Sequence, residues 1–169
     1  MILAWMISED FQKRFFSTPG KEGIFEAKAI VFEGPEDYHL RINDKSLKID
    51  ENSILMIRGC GPVGYPGSAE VVNMQPPDKL LKEGINTLPT LGDGRQSGTS
   101  ESPSILNVSP ESAIGGGLLI VETGDKIKID LNNSRIDLLI SNEEIEKRKK
   151  DVKNCVFSVS CYCMLSSIQ

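Results

Sequence analysis

The chain has 169 residues, 39% hydrophobic and 25% charged, with a formal net charge of −5 at pH 7. That length fits one domain with a sizeable core, and the composition is that of a soluble globular protein. The acidic balance argues against a general nucleic-acid binder, which relies on clustered Lys and Arg, and no stretch approaches the about eighteen apolar residues of a membrane span.

Met1 to Ile7 is apolar but short, has no basic flank and runs into Glu9 and Asp10, so no secretory signal is expected. Residues 1–23 show no clean period and close on a Pro19–Gly23 loop. Lys28 to Phe32, apolar and β-branched, predicts the first strand, ended by Gly34-Pro35. Pro35 to Ile42 predicts a short helix with Glu36 and Asp37 in its first turn, where the helix dipole favours acids. His39, the single histidine, lies in it as a packing or surface residue or, less simply, a ligand contact.

Asn52 to Arg58 carries a continuous apolar run, Ile54 to Ile57, that suggests a strand buried on both faces. The following stretch, Gly59 to Glu70, is too rich in Gly and Pro for regular structure. Glu70 at its end is either a solvated loop carboxylate or a hard-oxygen ligand for a divalent cation. Pro77 to Gly84 reads as a short helix and Thr87 to Leu91 as a strand. A Pro110-initiated helical turn ends at Gly115–Gly117, and Leu118 to Val121 reads as a buried strand before a Gly124-Asp125 turn.

Two alternating strands follow, with Ile127, Ile129 and Leu131 on one face of the first and Ile136, Leu138 and Ile140 on one face of the second. Asn132-Asn133-Ser134 joins them as a hairpin loop, the asparagines tolerating left-handed backbone. Ser141 and Glu144 form a capping box for a charged surface helix, Asn142 to about Val152. The basic cluster Lys147 to Lys150 alternates with acids and reads as a solvated helix face. The four cysteines, Cys60, Cys155, Cys161 and Cys163, lack zinc spacing, which suggests reduced thiols in a cytoplasmic protein. Many short strands with few, short helices predict an α+β class, a β-rich barrel-like or layered sheet with flanking helices.

Between the Thr87–Leu91 strand and the Pro110 turn lies Leu91 to Asn107, in which Gly92, Gly94 and Gly98 alternate with acid, guanidinium, amide and hydroxyl groups. Such a loop can bend sharply and bring backbone N–H groups close to a polar ligand or charged intermediate. No Gly-Lys-Ser/Thr follows, and no long helix, so neither a phosphate loop nor a dinucleotide fingerprint is present. On its own, Ser97 is a turn-forming hydroxyl or a reactive one.

Longer words are more specific. Gly61 to Pro77 (GPVGYPGSAEVVNMQPP), Gly92 to Thr99 (GDGRQSGT) and Ser102 to Asn107 (SPSILN) resemble the C-terminal domain of the dihydroxy-acid and phosphogluconate dehydratase family. The wording is most similar to its sugar-acid branch, the L-arabinonate and D-xylonate dehydratases. Val31 to His39 and Gly124 to Glu144 are similar to flanking stretches of that branch. The resemblance implies a swivelling domain (β/β/α) of a hydro-lyase that converts a 2,3-dihydroxy sugar acid into a 2-keto-3-deoxy acid. It also implies Mg2+ and an iron–sulfur (2Fe–2S) cluster, with the cluster ligands and most magnesium ligands on a larger N-terminal domain absent from this chain. Glu70 is then the magnesium ligand of this domain, Ser97 the base at C2, and Thr99 a neighbouring orienting hydroxyl. Gly94, Arg95 and Gly98 support the loop, and Cys60 is not expected to replace a cluster cysteine. Glu101, two positions after Thr99, adds an acid where the branch has a small residue.

The implied organisation is a divergent extension over 1–26, the swivelling domain over 27–152 and a divergent tail over 153–169, in a fragment inactive alone. Implied partners are a sugar acid, an N-terminal dehydratase domain or full-length relative and a further copy of the chain, with no nucleic acid or membrane. The alternative is a non-catalytic remnant that serves as a ligand-binding or interaction module for a full-length dehydratase.

Overall fold

The computed structural model describes residues 9–16, 23–70, 73–96 and 104–152. The chain divides into two compact units, Met1–Leu139 and Ile140–Gln169.

In the first unit a short helix, α1 (Glu9–Phe15), precedes the longest strand, β1 (Ile24–Glu33). Then come α2 (Pro35–Arg41), β2 (Ser53–Arg58), α3 (Asp78–Lys82), β3 (Thr90–Gly92), β4 (Ser104–Ile105), β5 (Lys126–Asp130) and β6 (Arg135–Leu138). The sheet order is β4-β3-β2-β1-β5-β6. β1 to β4 run parallel, and β5 and β6 add as an antiparallel hairpin on the far side of β1. The result is an α+β fold, a six-stranded mixed sheet in half-barrel form with a few short helices. Its two edge strands approach across a cavity of about 290 Å³ lined by Ile105, Leu106, Ile129, Leu131 and Ile136 among others.

Alternation explains why both faces of the sheet are covered. Phe25, Ala27, Ala29 and Val31 of β1 join Ile54 and Met56 of β2 in one core, with Phe15, Leu91, Leu118, Val121, Ile127 and Ile129. Ile30 and Phe32 join Leu55 and Ile57 in the other, with Tyr38, Cys60, Met74, Leu80 and Leu88. β2 is therefore buried on both faces, as its unbroken apolar run predicts. β1 extends the expected strand at both ends because Phe25 and Ala27 continue its buried face opposite β5. α1 is tied to this core by Phe15, whose ring meets Phe25 edge-on at 5.1 Å, and by Arg14, which donates to the carbonyl of Thr87 at 2.8 Å.

Three expectations change. Leu118 to Val121 is not a strand: Gly117–Ile120 is a 3-10 turn. Arg58 Nη1 donates to the carbonyls of Leu118, Leu119 and Val121 at 2.8–2.9 Å, and only a turned backbone aims three near-consecutive carbonyls at one group. The strand expected from Thr87 is confined to Thr90–Gly92. In the hairpin loop the left-handed residue is Ser134, at φ 52°, while Asn133 donates its backbone and side-chain N–H groups to Asp130. The Pro35, Pro77 and Pro110 turns form where expected, the last as a 3-10 turn over Ser112–Ile114 ended by Gly115 at φ 88°.

In the second unit residues 142–152 form a helix, α4, none of which is buried. Ser141 Oγ accepts the Glu144 N–H at 3.2 Å, which is the forward half of the capping box. The Glu144 carboxylate accepts from Arg148 one turn on, and with Lys147 this holds its pKa below the ordinary carboxylate range.

Candidate active site

The carboxyl ends of β2, β3 and β4 lie on one edge of the sheet and release three loops, the position at which open sheets with parallel strands bind ligands. Asp93, the first residue after β3, is only 1% exposed and holds these loops together. Its Oδ2 accepts the backbone N–H of Gly59 at 3.0 Å, the N–H of Ser112 at 2.9 Å and the Ser112 hydroxyl. Its Oδ1 accepts the Cys60 N–H at 3.0 Å. Glu111, beside Ser112, accepts the Val63 N–H at 2.8 Å, so two carboxylates grip the loop that follows β2.

Gly94 lets this grip close. A Cβ there would stand 2.6 Å from the Cys60 carbonyl oxygen, inside any permitted contact. The glycine is required by the approach of two protein loops, whatever else the loop binds.

Further along the same loops, Glu70 and Arg95 pair as a parallel backbone bridge. Arg95 Nε donates to the Ser68 carbonyl at 2.8 Å, which fixes the approach. Glu70 and Arg95 are both exposed. The fold thus brings Glu70 beside Arg95, two residues before Ser97, although 25 residues separate the bridged pair in sequence. Ser97, Gly98, Thr99 and Glu101 lie outside the described residues.

The donor set limits what can be bound here. Among the described residues no group of three or more His, Cys, Asp or Glu side chains is gathered for a metal ion. Glu70 fits as one oxygen ligand of a cation whose other ligands come from elsewhere. Cys60 does not fit an iron–sulfur cluster. It is fully buried, and burial first, then the charges of Asp93 and Glu36, push its thiol up to about 11, so it stays neutral. Cys155, Cys161 and Cys163 lie outside the described residues.

His39 is exposed on α2 with its ring against Tyr38 at 5.2 Å. A larger cavity, about 920 Å³, is lined by Asp44, Lys45, Lys48, Asp50, Asp78 and Lys79 among others; these residues precede β2 and β3, so it belongs to the opposite edge. Among the described residues no helix is long and apolar enough to cross a membrane.

Asp93, Glu111, Ser112 and Arg58 were not singled out by sequence reasoning. An acid between two glycines directly after a strand was the available signal for Asp93, and a solvated turn acid presents the same pattern.

Fold and loop cluster together define a β-rich α+β domain that presents a cluster of interlocked polar loops at one sheet edge. Residues 16–167 match the family described as dihydroxy-acid/6-phosphogluconate dehydratase C-terminal, and the chain belongs to that family. It is 67% identical over 146 residues to the D-xylonate dehydratase of Caulobacter vibrioides, covering 86% of this chain and 24% of that protein. Identity to the L-arabinonate dehydratase of Rhizobium leguminosarum is 47% over 125 residues, covering 74% of this chain and 22% of the relative. Identity to the L-arabonate dehydratase of Azospirillum brasilense is 42% over 125 residues, 74% of this chain and 21% of the relative. The chain therefore spans less than a quarter of the length of these relatives.

Proposed function

We propose that this chain is the C-terminal part of a sugar-acid dehydratase and acts only together with an N-terminal partner domain. The observation that carries the proposal is the Glu70–Arg95 bridge, which brings the expected metal ligand alongside the loop that leads to Ser97. The names of the three relatives given above, xylonate and arabinonate dehydratases, suggest the substrate class.

In this reading Ser97 removes the proton from C2 of a 2,3-dihydroxy acid, the C3–O bond breaks with loss of hydroxide, and the resulting enol tautomerises to the 2-keto-3-deoxy acid. A serine hydroxyl is a weak base, so its alkoxide needs nearby positive charge and N–H donors; Arg95 and the Gly94–Gly98 backbone are placed in the chain to provide them. Thr99 orients the serine or the substrate. Magnesium, when bound with Glu70 as one ligand, would stabilise the negative charge that builds on the substrate carboxylate as C2 loses its proton. The iron–sulfur cluster that the resemblance implies would be held by the N-terminal domain, since Cys60, buried and neutral, does not suit it.

The partner reading is supported by exposed apolar side chains on the same loops. Val63, Tyr65 and Ile114 are 69%, 72% and 62% exposed. Apolar groups gathered beside a polar site suit a surface that another domain covers. The test is to mix the chain with the separately expressed N-terminal part of the C. vibrioides relative and to assay aldopentonate conversion. Activity is expected in the mixture and in neither component alone. A mixture as inactive as its parts, with complex formation verified, contradicts the proposal and favours a non-catalytic interaction module.

A further inference from the structure

Four buried side-chain polar atoms have no hydrogen-bond partner among the described residues: Ser68 Oγ, Gln96 Oε1 and Nε2, and Glu111 Oε2. All four belong to the loop cluster at the carboxyl edge. A buried polar atom without a partner is costly, so such atoms are few in a native fold and each one needs a cause. Their gathering in one place points to a ligand that completes them.

Gln96 carries two of the four atoms and directly precedes Ser97, with the residue only 6% exposed. Space for its amide exists because residue 92 is glycine: a Cβ there would stand 2.9 Å from Gln96 Nε2. A Cβ at Gly61 would likewise stand 1.8 Å from Glu111 Oε2. The backbone is hollowed at two points that house polar atoms left without a partner among the described residues.

We infer that Gln96 is a specificity-determining residue whose amide hydrogen-bonds a substrate hydroxyl beyond C3, selecting polyhydroxy acids over alkyl-tailed dihydroxy acids. The inference rests on the dehydratase reading above. A primary amide offers N–H donors and a carbonyl acceptor, and a hydroxyl can answer both. Facing an alkyl tail, the amide would remain unpaired. Sites built to hydrogen-bond a hydroxyl reject analogues that lack it far more strongly than apolar pockets reject a missing methylene. Because the amide lies buried in the Gly92 recess, the inferred contact requires its side-chain torsions to turn it toward the ligand on binding.

Gln96→Met removes the amide and keeps the length of the side chain. In thermal unfolding of the ligand-free 169-residue chain, the variant is expected to raise Tm by about 2–4 °C, since an unpaired amide is replaced by an apolar group. An unchanged or lower Tm means that the amide is already satisfied without ligand and overturns the inference. In the mixture with the N-terminal part of the C. vibrioides relative, the ratio of kcat/KM for an aldopentonate over that for an alkyl-tailed 2,3-dihydroxy acid should fall about tenfold or more. An active mixture in which this ratio is unchanged overturns the inference and leaves the dehydratase reading standing. An inactive wild-type mixture contradicts the dehydratase reading, and the role of Gln96 falls with it.

Discussion

Asp93 shows how much of the candidate site depends on a single side chain. Four donors from two other loops end on its carboxylate, in a place that water does not reach. Asp93→Ala leaves those donors facing a cavity, and the loss of stability should be about 3–5 kcal/mol, well above the mean for a point substitution. Urea denaturation followed by circular dichroism checks this, with the midpoint falling and the slope unchanged. A loss near that of an ordinary surface substitution would show that the loops are held by something else. Sequence alone could not give Asp93 this role, because its partners, Gly59, Cys60 and Ser112, are 19 to 34 residues away. Glu70 was equally ambiguous when judged by its neighbours; the resemblance singled it out, and the bridge to Arg95 is a property of the fold.

At the level of elements, the strands were legible where period and burial agree. β2, unbroken and apolar, and the β5–β6 hairpin, alternating, lie where their patterns put them. The Leu118–Val121 stretch was not legible, since four apolar residues suit a strand and a turn equally well. Arg58, sixty residues earlier, decides it by gathering their carbonyls. The loop after β3 holds a similar lesson, because a glycine-rich run invites a ligand-binding reading while Gly94 is already required by Cys60. Gly94→Ala should therefore destabilise the chain by about 1–3 kcal/mol through overpacking against the Cys60 backbone, with no ligand present. Thermal unfolding of the isolated chain measures it. An alanine that fits without loss would mean that the two loops do not approach as closely as the structure has them.

For the whole molecule, the proposal that the chain acts with an N-terminal partner accords with the share of the relatives that it spans. Glu70 and Arg95 lie on loops at the sheet edge that also carries the exposed Val63, Tyr65 and Ile114, and no group of three or more metal-ligating side chains is gathered among the described residues. The central claim is that the chain carries the proton-abstracting half of a dehydratase site. The most direct measurement follows C2-deuterated aldopentonate in the mixture of this chain with the N-terminal part of the C. vibrioides relative, comparing wild type with Ser97→Ala. The wild-type mixture should release deuterium to water and form the 2-keto-3-deoxy acid, while the Ser97→Ala mixture does neither. Deuterium release at the wild-type rate from Ser97→Ala would contradict the account.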